Sequence, residues 1–260
     1  MGEVLFVEMN FTDHLSRSVF LPKPPQRIIS LVPSQTELLV DLGLEEQIVG
    51  VTKFCVHPGH LMKSKTIVGG TKNYRFDVIE RLKPDLIIGN REENDREGIE
   101  KLALSYPVWM SDILDLNDSM RMISDLGKIT GTESKAAVIV TQIQDSLSEE
   151  APYKGTCLYL IWEKPKMAVG KQTFIDSMLS VAGFENVVRE VRYPEISEQE
   201  LIQLSPEYVL LSSEPFPFGE KHREAIQTLL PKSKILLVDG EMFSWYGSRL
   251  LHSMEYFKRL

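Results

Sequence analysis

Apolar residues in this chain occur as short, nearly unbroken runs, and these runs alternate with segments of helical periodicity. Residues 27–32, 48–51 and 86–89 are β-branched or apolar along most of their length, whereas residues 76–82 carry apolar side chains at helical spacing. Runs that are apolar on both faces are typical of buried strands in a parallel sheet. Strands that alternate with helices therefore predict an α/β fold, in which ligands bind beyond the carboxyl ends of the strands.

The same alternation restarts after Pro152. Its predicted strands are 156–161, 208–212 and 235–238, and its predicted helices are 173–181, 198–204 and 248–260. A helix, an x-Pro-acidic turn and a buried strand follow one another in both halves, at Lys83-Pro84-Asp85 and at Ser205-Pro206-Glu207. This internal repeat predicts two similar Rossmann-like lobes.

The segments outside the repeats predict a hairpin and a connector. Residues 3–26 have the pattern of a β-hairpin that ends at prolines, which cannot join a ladder from inside. Residues 133–149 have helical spacing after Gly131, a predicted helix C-cap, and contain no proline. We expect an N-terminal α/β lobe with the hairpin over 1–130, one long backbone helix over 131–151, and a C-terminal α/β lobe over 152–260, with a ligand cleft between the lobes.

The composition of the chain limits the classes of partner that it can bind. The chain has 260 residues, 43% hydrophobic content and a net charge of -8, without the clustered Lys and Arg that nucleic-acid binding needs. No apolar run approaches the roughly 20 residues of a transmembrane helix. The N-terminus lacks the basic and then apolar pattern of a secretory signal, which predicts a cytoplasmic location if this N-terminus is the native one.

The sequence lacks the local signatures of common catalytic sites. It contains no dinucleotide fingerprint, no phosphate-binding loop, no nucleophile elbow and no HExxH zinc motif. Its two cysteines, Cys55 and Cys157, are far apart and lack metal-type spacing, so they predict free thiols. We therefore expect a non-enzymatic protein that requires no cofactor.

Cys55, His57 and His60 lie together after the strand at 48–51. Thiolate and imidazole ligands suit zinc or copper, so a metal-assisted enzyme is one alternative. A loop histidine that only forms a local hydrogen bond is the more common case. The position of His57 at the end of a strand makes it a candidate for contact with a metal or a ligand.

Polar and aromatic residues recur where predicted strands end. Glu92 and Asn94 follow the strand at 86–89, where they could either begin a solvated helix or point into a ligand crevice. An aromatic ring just past a strand can cover a flat ligand at low entropic cost. The aromatic residues in such positions are Trp162, Phe243, Trp245 and Tyr246.

Several stretches together carry a family resemblance. Residues Pro24–Glu37, Val49–Thr52 and Leu82–Ile87 resemble the helical-backbone class of solute-binding proteins (class III), which serves ABC importers for cobalamin, haem and iron-siderophores. The resemblance extends over nearly the whole chain and is greatest to the cobalamin-binding branch. The stretches that favour this branch are Thr52–Pro58, Val68–Asn73, Ile161–Pro165 and Tyr193–Ile196.

The resemblance implies two α/β lobes bridged by one helix, a corrinoid or metal chelate held between them, and a periplasmic or cell-surface location. It places Phe54 against the ligand, and residues 90–94 and 241–243 in the cleft loops. Receptors of this class also present one acidic residue on each lobe to arginines of the permease. Here those positions fall on Asp77 and on Gln199, which lies between Glu198 and Glu200.

The leading hypothesis is a solute-binding protein of ABC-type import that binds cobalamin or a related metal chelate, mainly through apolar and aromatic coverage. An iron-siderophore or haem receptor of the same fold is the alternative within the class, and anionic ferric chelates would need Arg or Lys in the cleft. The expected ligand contacts are Phe54, His57, Lys72, Asn73, Glu92, Asn94, Trp162, Phe243, Trp245 and Tyr246, with His57 also a candidate metal ligand.

Overall fold

The computed structural model describes residues 9–147 and 151–260, which form two compact units. Unit 1 contains the described residues up to Ile113 together with Asn117–Thr141 and Tyr246–Ser248. Unit 2 contains Leu114–Leu116, the described part of Gln142–Trp245, and Arg249–Leu260. Each unit is an α/β structure, which confirms the predicted fold class.

Unit 1 begins with the predicted hairpin, formed by β1 (Met9–Thr12) and β2 (Ser18–Leu21), which pair antiparallel. The part of the prediction before Met9 lies outside the described residues. Asp13 holds the turn, because its carboxylate accepts hydrogen bonds from the backbone N–H of Leu15 at 2.9 Å and of Arg17 at 2.8 Å. It also accepts from the Met110 N–H at 3.3 Å and so ties the hairpin to the sheet of unit 1.

The sheet of unit 1 consists of five parallel strands. Its strands and helices, in chain order, are β3 (Ile28–Ser30), α1 (Pro33–Asp41), β4 (Ile48–Val51), α2 (Leu61–Ser64), β5 (Thr66–Ile67), α3 (Phe76–Leu82), β6 (Leu86–Asn90), α4 (Arg96–Ala103), β7 (Val108–Ser111), α5 (Leu116–Thr130) and α6 (Glu133–Leu147). The strand order is β5-β4-β3-β6-β7. Because the order reverses at β3, the turns that follow β3, β4 and β6 are the expected ligand positions of this unit.

The α5–α6 pair begins the predicted connector. Gly131 has a φ of +71°, which confirms the predicted C-cap position after α5. The two helices approach closely, since a Cβ atom on Gly127 would lie 2.5 Å from the Cβ of Ala136. The division between the units falls inside α6, between Thr141 and Gln142. The predicted boundaries at 130 and 151 stay a prediction, and residues 148–150 lie outside the described part of the chain.

Unit 2 repeats the architecture. Its elements are β8 (Gly155–Glu163), β9 (Lys166–Ala168), α7 (Phe174–Val181), β10 (Phe184–Asn186), α8 (Glu198–Leu204), β11 (Tyr208–Ser212), α9 (Glu220–Leu229), β12 (Lys234–Val238), α10 (Glu241–Ser244) and α11 (Leu250–Phe257). Strands β10-β8-β11-β12 are parallel, and β9 pairs antiparallel with β8. The sheet packs on an apolar cluster that includes Leu160, Leu201 and Leu211.

The predicted repeat has a common backbone geometry. Lys83 after α3 and Ser205 after α8 both have a positive φ, +47° and +41° respectively, and each precedes a proline and a buried strand. A residue in the left-handed region ends a helix, and a following proline prevents its continuation. The two halves therefore enter equivalent strands, β6 and β11, by the same turn. Within the described residues, the helices are all too short or too polar to cross a bilayer.

Candidate functional site

The turn after β4 is built around two fully buried side chains, Thr52 and Cys55. The Cys55 Sγ shares hydrogen bonds with the Thr52 hydroxyl at 3.3 Å and with the Thr36 hydroxyl at 3.1 Å. The Thr52 hydroxyl also accepts from the Phe54 N–H at 3.3 Å. Burial raises the pKa of the Cys55 thiol, which therefore stays protonated as a packing group.

This anchored turn holds Phe54 outward. The Phe54 side chain is 48% exposed although Thr52 and Cys55 on either side of it are buried. Its ring lies against Gly70, where an added Cβ would come within 3.3 Å of Phe54 Cε2. The Lys53 N–H donates to the Gly69 carbonyl at 2.9 Å, which joins the two turns. The family resemblance places Phe54 against the ligand, and that contact stays a prediction.

The segment after β5 carries Lys72 and Asn73, both exposed. Gly69 has a φ of +123°, and a Cβ there would lie 2.2 Å from the Asn73 carbonyl oxygen, so only glycine fits this turn. The Gly70 N–H donates to that same carbonyl at 2.9 Å. The turn therefore presents both polar side chains from a fixed backbone beside Phe54.

Cys55, His57 and His60 do not assemble into a metal centre. The Cys55 thiol is directed into the core of unit 1, and the His60 ring pairs with Glu45 at 2.7 Å. Among residues 9–147 and 151–260, no group of three or more His, Cys, Asp or Glu side chains is placed to hold a metal ion. The structure gives no support to a metal-assisted enzyme built on these three residues, whereas a ligand contact by His57 stays a prediction.

Asn94, predicted as a ligand contact, is an internal brace of the loop after β6. Its Oδ1 accepts from the Asn90 N–H at 2.7 Å, and its Nδ2 donates to the carbonyls of Thr71 at 2.9 Å and Leu31 at 3.3 Å. The side chain is buried, so these bonds occupy it. Glu92, in the same loop, is partly exposed, and its contact with a ligand stays a prediction.

Tyr246 belongs to unit 1 and is buried there. Its hydroxyl donates to Glu93 Oε1 at 2.9 Å. Burial, together with the charge of Glu93, raises the pKa of Tyr246 well above its ordinary value, so it remains a neutral donor. The expectation of a ring free to cover a ligand is wrong for Tyr246, because the ring packs inside the protein.

Trp162 lies within a strand rather than after one. Strand β8 extends to Glu163 because Trp162 and Glu163 pair with β9, and the sequence pattern missed this short antiparallel partner. The side chain is still 39% exposed. Its Nε1–H donates to the Lys164 carbonyl at 3.2 Å, which fixes the orientation of the indole.

An aromatic group that the sequence pattern did not reveal supports Trp162. The Trp162 ring meets Phe216 edge-on at 5.7 Å, and Phe216 in turn contacts Phe218 at 4.8 Å and His222 at 5.2 Å. The Gly219 N–H donates to His222 Nδ1 at 3.0 Å, which fixes the orientation of the imidazole. The density of aromatic residues between β11 and α9 was the available signal in the sequence.

Phe243 is a core residue. It is fully buried and contacts Tyr159 at 5.2 Å and Phe257 at 4.7 Å between ring centroids. Its position in α10, which begins shortly after β12, turns the ring inward. The prediction that Phe243 covers a ligand is therefore corrected, and its role is to pack the C-terminal helices of unit 2.

Trp245 is held by a partly buried carboxylate. Glu214 Oε1 accepts from the Trp245 indole N–H at 3.1 Å and from the Ser244 hydroxyl at 2.5 Å. The Arg249 guanidinium lies 5.0 Å from the centroid of the Trp245 ring and pairs with Glu241 at 3.2 Å. Burial raises the pKa of Glu214, and the hydrogen bond from Ser244 opposes that rise. Trp245 itself is 7% exposed, which leaves little ring surface for a ligand.

The chain matches the family model described as periplasmic binding protein over residues 28–230. It is 25% identical to a vitamin B12-binding protein of Pectobacterium carotovorum over 87% of this chain and 85% of that protein. It is 22% identical to an uncharacterized ABC transporter substrate-binding lipoprotein of Bacillus subtilis over 94% of this chain and 82% of that protein.

Two solved structures share the fold. The periplasmic vitamin B12 binding protein of Vibrio cholerae gives a TM-score of 0.76 at 23% identity, covering 90% of this chain and 95% of that one. A periplasmic haem binding protein of Pseudomonas aeruginosa gives 0.77 at 24% identity, covering 90% and 91% respectively. These likenesses support the two-lobe fold of the helical-backbone class.

Replacing Asn94 tests its role as a brace. Asn94→Ala removes the acceptor of the buried Asn90 N–H, and an unsatisfied buried donor costs about 2 kcal/mol. We expect urea unfolding to show a loss of that size. Asn73→Ala, on the exposed neighbouring turn, is the matched control and is expected to change stability by less than about 0.5 kcal/mol. Equal stabilities of the two variants would contradict the assignment.

The raised pKa of Glu214 predicts that the stability of the protein depends on pH. Its pKa in the folded chain lies above the ordinary value for a glutamate, so the unfolded chain releases this proton first as the pH rises. The stability that Glu214 contributes is complete below the unfolded pKa and is lost as the pH rises through the folded pKa. Gln cannot ionise and can accept the same two hydrogen bonds.

Thermal unfolding of the Glu214→Gln variant checks this sign. Relative to the parent protein, its stability is expected to be similar at about pH 4 and to become higher as the pH approaches ~8. Glu224→Gln, which removes an exposed carboxylate on α9, serves as the control. A constant difference between Glu214→Gln and the parent at every pH would refute the prediction.

Proposed function

The chain belongs to the periplasmic binding protein family, and from that premise we propose that it binds cobalamin, or a related corrinoid or metal chelate, as the solute-binding protein of an ABC importer. The observation that carries the proposal is Phe54, a half-exposed ring fixed on a rigid turn at the carboxyl edge of the unit 1 sheet. Relatives named vitamin B12-binding proteins support the choice of ligand.

A large planar ligand suits the exposed side chains. Aromatic faces can cover a macrocycle, while a few polar groups fix its orientation. Phe54 supplies such a face in unit 1 and Trp162 in unit 2. We propose His57, Lys72, Asn73 and Glu92 as the polar contacts. Asn94, Phe243, Trp245 and Tyr246 are buried and are not proposed as direct contacts.

A haem or other iron chelate is the second candidate. The haem binding protein of Pseudomonas aeruginosa shares the fold, and two lysines, Lys53 and Lys72, lie on the turns that frame Phe54. Cationic side chains beside an aromatic ring favour an anionic chelate. In both cases the chain acts by binding, as its family and relatives do, and no cofactor is proposed.

We also propose that the protein works outside the cytoplasmic membrane. The family and the lipoprotein relative are periplasmic or substrate-binding components of ABC transporters. Neither the family nor this relative supports the cytoplasmic alternative raised by the N-terminal sequence. A position outside the membrane would deliver the solute to the outer face of a permease.

Ligand titration tests the proposal. We expect hydroxocobalamin or haemin to bind the purified protein, as followed by absorbance and calorimetry, with a Kd well below ~100 μM. Phe54→Ala is expected to weaken binding by about tenfold, because it removes the exposed ring. Leu104→Ala, which truncates an 86% exposed apolar side chain on another surface, is expected to leave binding unchanged. Absence of binding by both ligands at ~100 μM would overturn the proposal.

Two carboxylates are proposed to contact the permease. Asp77 lies in the first turn of α3 in unit 1, with a side chain that is 66% exposed and paired with Arg81. In unit 2, Glu200 is held in the capping box of α8, where its carboxylate accepts from the Ser197 N–H and hydroxyl, and the hydroxyl contact lowers its pKa. Glu198 is 61% exposed and lies 3.7 Å from the Lys166 ammonium, and we propose this exposed carboxylate as the contact that α8 offers to a partner.

Charge-reversal variants distinguish docking on the permease from binding of the ligand. We expect the double variant Asp77→Lys/Glu198→Lys to lower uptake of the bound ligand by cells of the native host at least about tenfold, while ligand affinity in solution is unchanged. Glu224→Lys, an exposed charge reversal on α9, is the control and should leave uptake intact. Normal uptake by the double variant would rule out this docking assignment.

A further inference from the structure

We propose that Lys53 selects ligands that carry an anionic oxygen group, a carboxylate or a phosphodiester, at the edge of the flat ring system. This inference rests on the proposed function and adds a specificity-determining residue to its site. Lys53 was not among the ligand contacts predicted from the sequence. Its assignment comes from the position of its ammonium group next to the exposed ring of Phe54.

The backbone of Lys53 is fixed on both sides. Its N–H donates to the Gly69 carbonyl at 2.9 Å, and the Cys55 N–H donates to the Thr52 carbonyl at 3.1 Å across the turn. Thr52 and Cys55 are fully buried, whereas Lys53 is exposed. The side chain therefore begins from a rigid point at the carboxyl edge of the sheet and extends into solvent.

The ammonium group of Lys53 is placed at the border of the aromatic surface. Its Nζ lies 5.0 Å from the centroid of the Phe54 ring, within the range of a cation–π interaction. Roughly half of the Phe54 side chain remains exposed. A flat ligand that covers the exposed part of the ring would bring its periphery to the Lys53 ammonium. An anionic substituent at that periphery would gain a charge-assisted hydrogen bond.

Within residues 9–147 and 151–260, no carboxylate neutralises the charge of Lys53. Its ammonium instead contacts the Phe54 ring. Two other lysines do pair with carboxylates, Lys128 with Asp125 at 3.1 Å and Lys171 with Asp176 at 3.0 Å. The chain also carries 37 acidic and 29 basic residues, so carboxylates are abundant. A cation left beside an exposed ring is therefore available to an anionic ligand group.

Lys72 extends this positive edge. It is exposed on the turn between Gly69 and Asn73, and this turn accepts the Lys53 hydrogen bond. An added Cβ on Gly70 would lie 3.7 Å from Lys53 Cε and 3.3 Å from Phe54 Cε2. The small residue thus allows the Lys53 stem and the ring to approach the Lys72 turn. The Lys53 ammonium beside the exposed ring suits a planar ligand with an anionic group at its edge, and Lys72 lies on the neighbouring turn.

Two pairs of probes distinguish the possible anions. Haemin and its dimethyl ester differ only in the free carboxylates, and cyanocobalamin and dicyanocobinamide differ chiefly in the phosphodiester-linked nucleotide. We expect the parent protein to bind the anionic member of at least one pair more tightly. Lys53→Met keeps the apolar stem over Phe54 and removes the charge. It should weaken binding of the member that carries the anionic group by roughly fivefold, the upper range for an exposed ion pair, and leave binding of the other member unchanged.

Lys53→Arg should retain the preference for the anionic member. Lys101→Met is the matched control, because the Lys101 ammonium also lies over an aromatic ring, Phe76, at 4.1 Å on α3 and α4. If Lys53→Met weakened the binding of both members of a pair equally, or of neither, this inference would be overturned. Ligand binding by the parent protein would then still support the proposed function. Failure of the parent protein to bind all four probes would overturn both.

Discussion

The exposed edge of unit 1 depends on hydrogen bonds made by small polar side chains buried beneath the strand ends. Thr36 donates to the Val32 carbonyl at 2.8 Å and contacts the Cys55 thiol, so one helix start and one strand-end turn share a fixed point. Such groups are costly to bury without partners, which gives this arrangement a single low-energy geometry. Thr52 and Cys55, which flank Lys53 and Phe54, are held in the core by these bonds. Lys53 and Phe54 therefore protrude into solvent from a fixed backbone.

The same constraint governs the loop after β6. Asn90 accepts from the N–H groups of Glu92 and Glu93 and donates to Ser111, while Asn94 braces the loop from the other side. A loop whose amides are satisfied internally presents its charged side chains from a defined backbone. Glu92 therefore lies near the surface while both amides of the segment, Asn90 and Asn94, are used to brace the loop.

Unit 2 instead orients its aromatic side chains by ring packing and by one partly buried acid, Glu214. Trp162 rests edge-on against Phe216, whereas Trp245 is oriented by Glu214 and Arg249. Edge-to-face contacts tolerate small shifts better than a network of short hydrogen bonds, and they add apolar area. The two units therefore offer different surfaces: a rigid ring bordered by cations in unit 1, and a partly exposed indole backed by further rings in unit 2.

The sequence by itself determined the fold class and the repeat, because unbroken apolar runs and left-handed turns before proline are local features. Helix α8 and strand β11 have the predicted bounds for this reason. The sequence pattern missed strand β7 and the pairing of β9 with Trp162. Strand β7 has only four residues, all buried, and β9 only three, so neither shows a recognisable alternation of apolar and polar positions. Only the tertiary structure decided which aromatic rings face solvent: Phe54 protrudes while Phe243 is buried, although both follow strands. That choice depends on what packs against each ring, and these neighbours are distant in sequence.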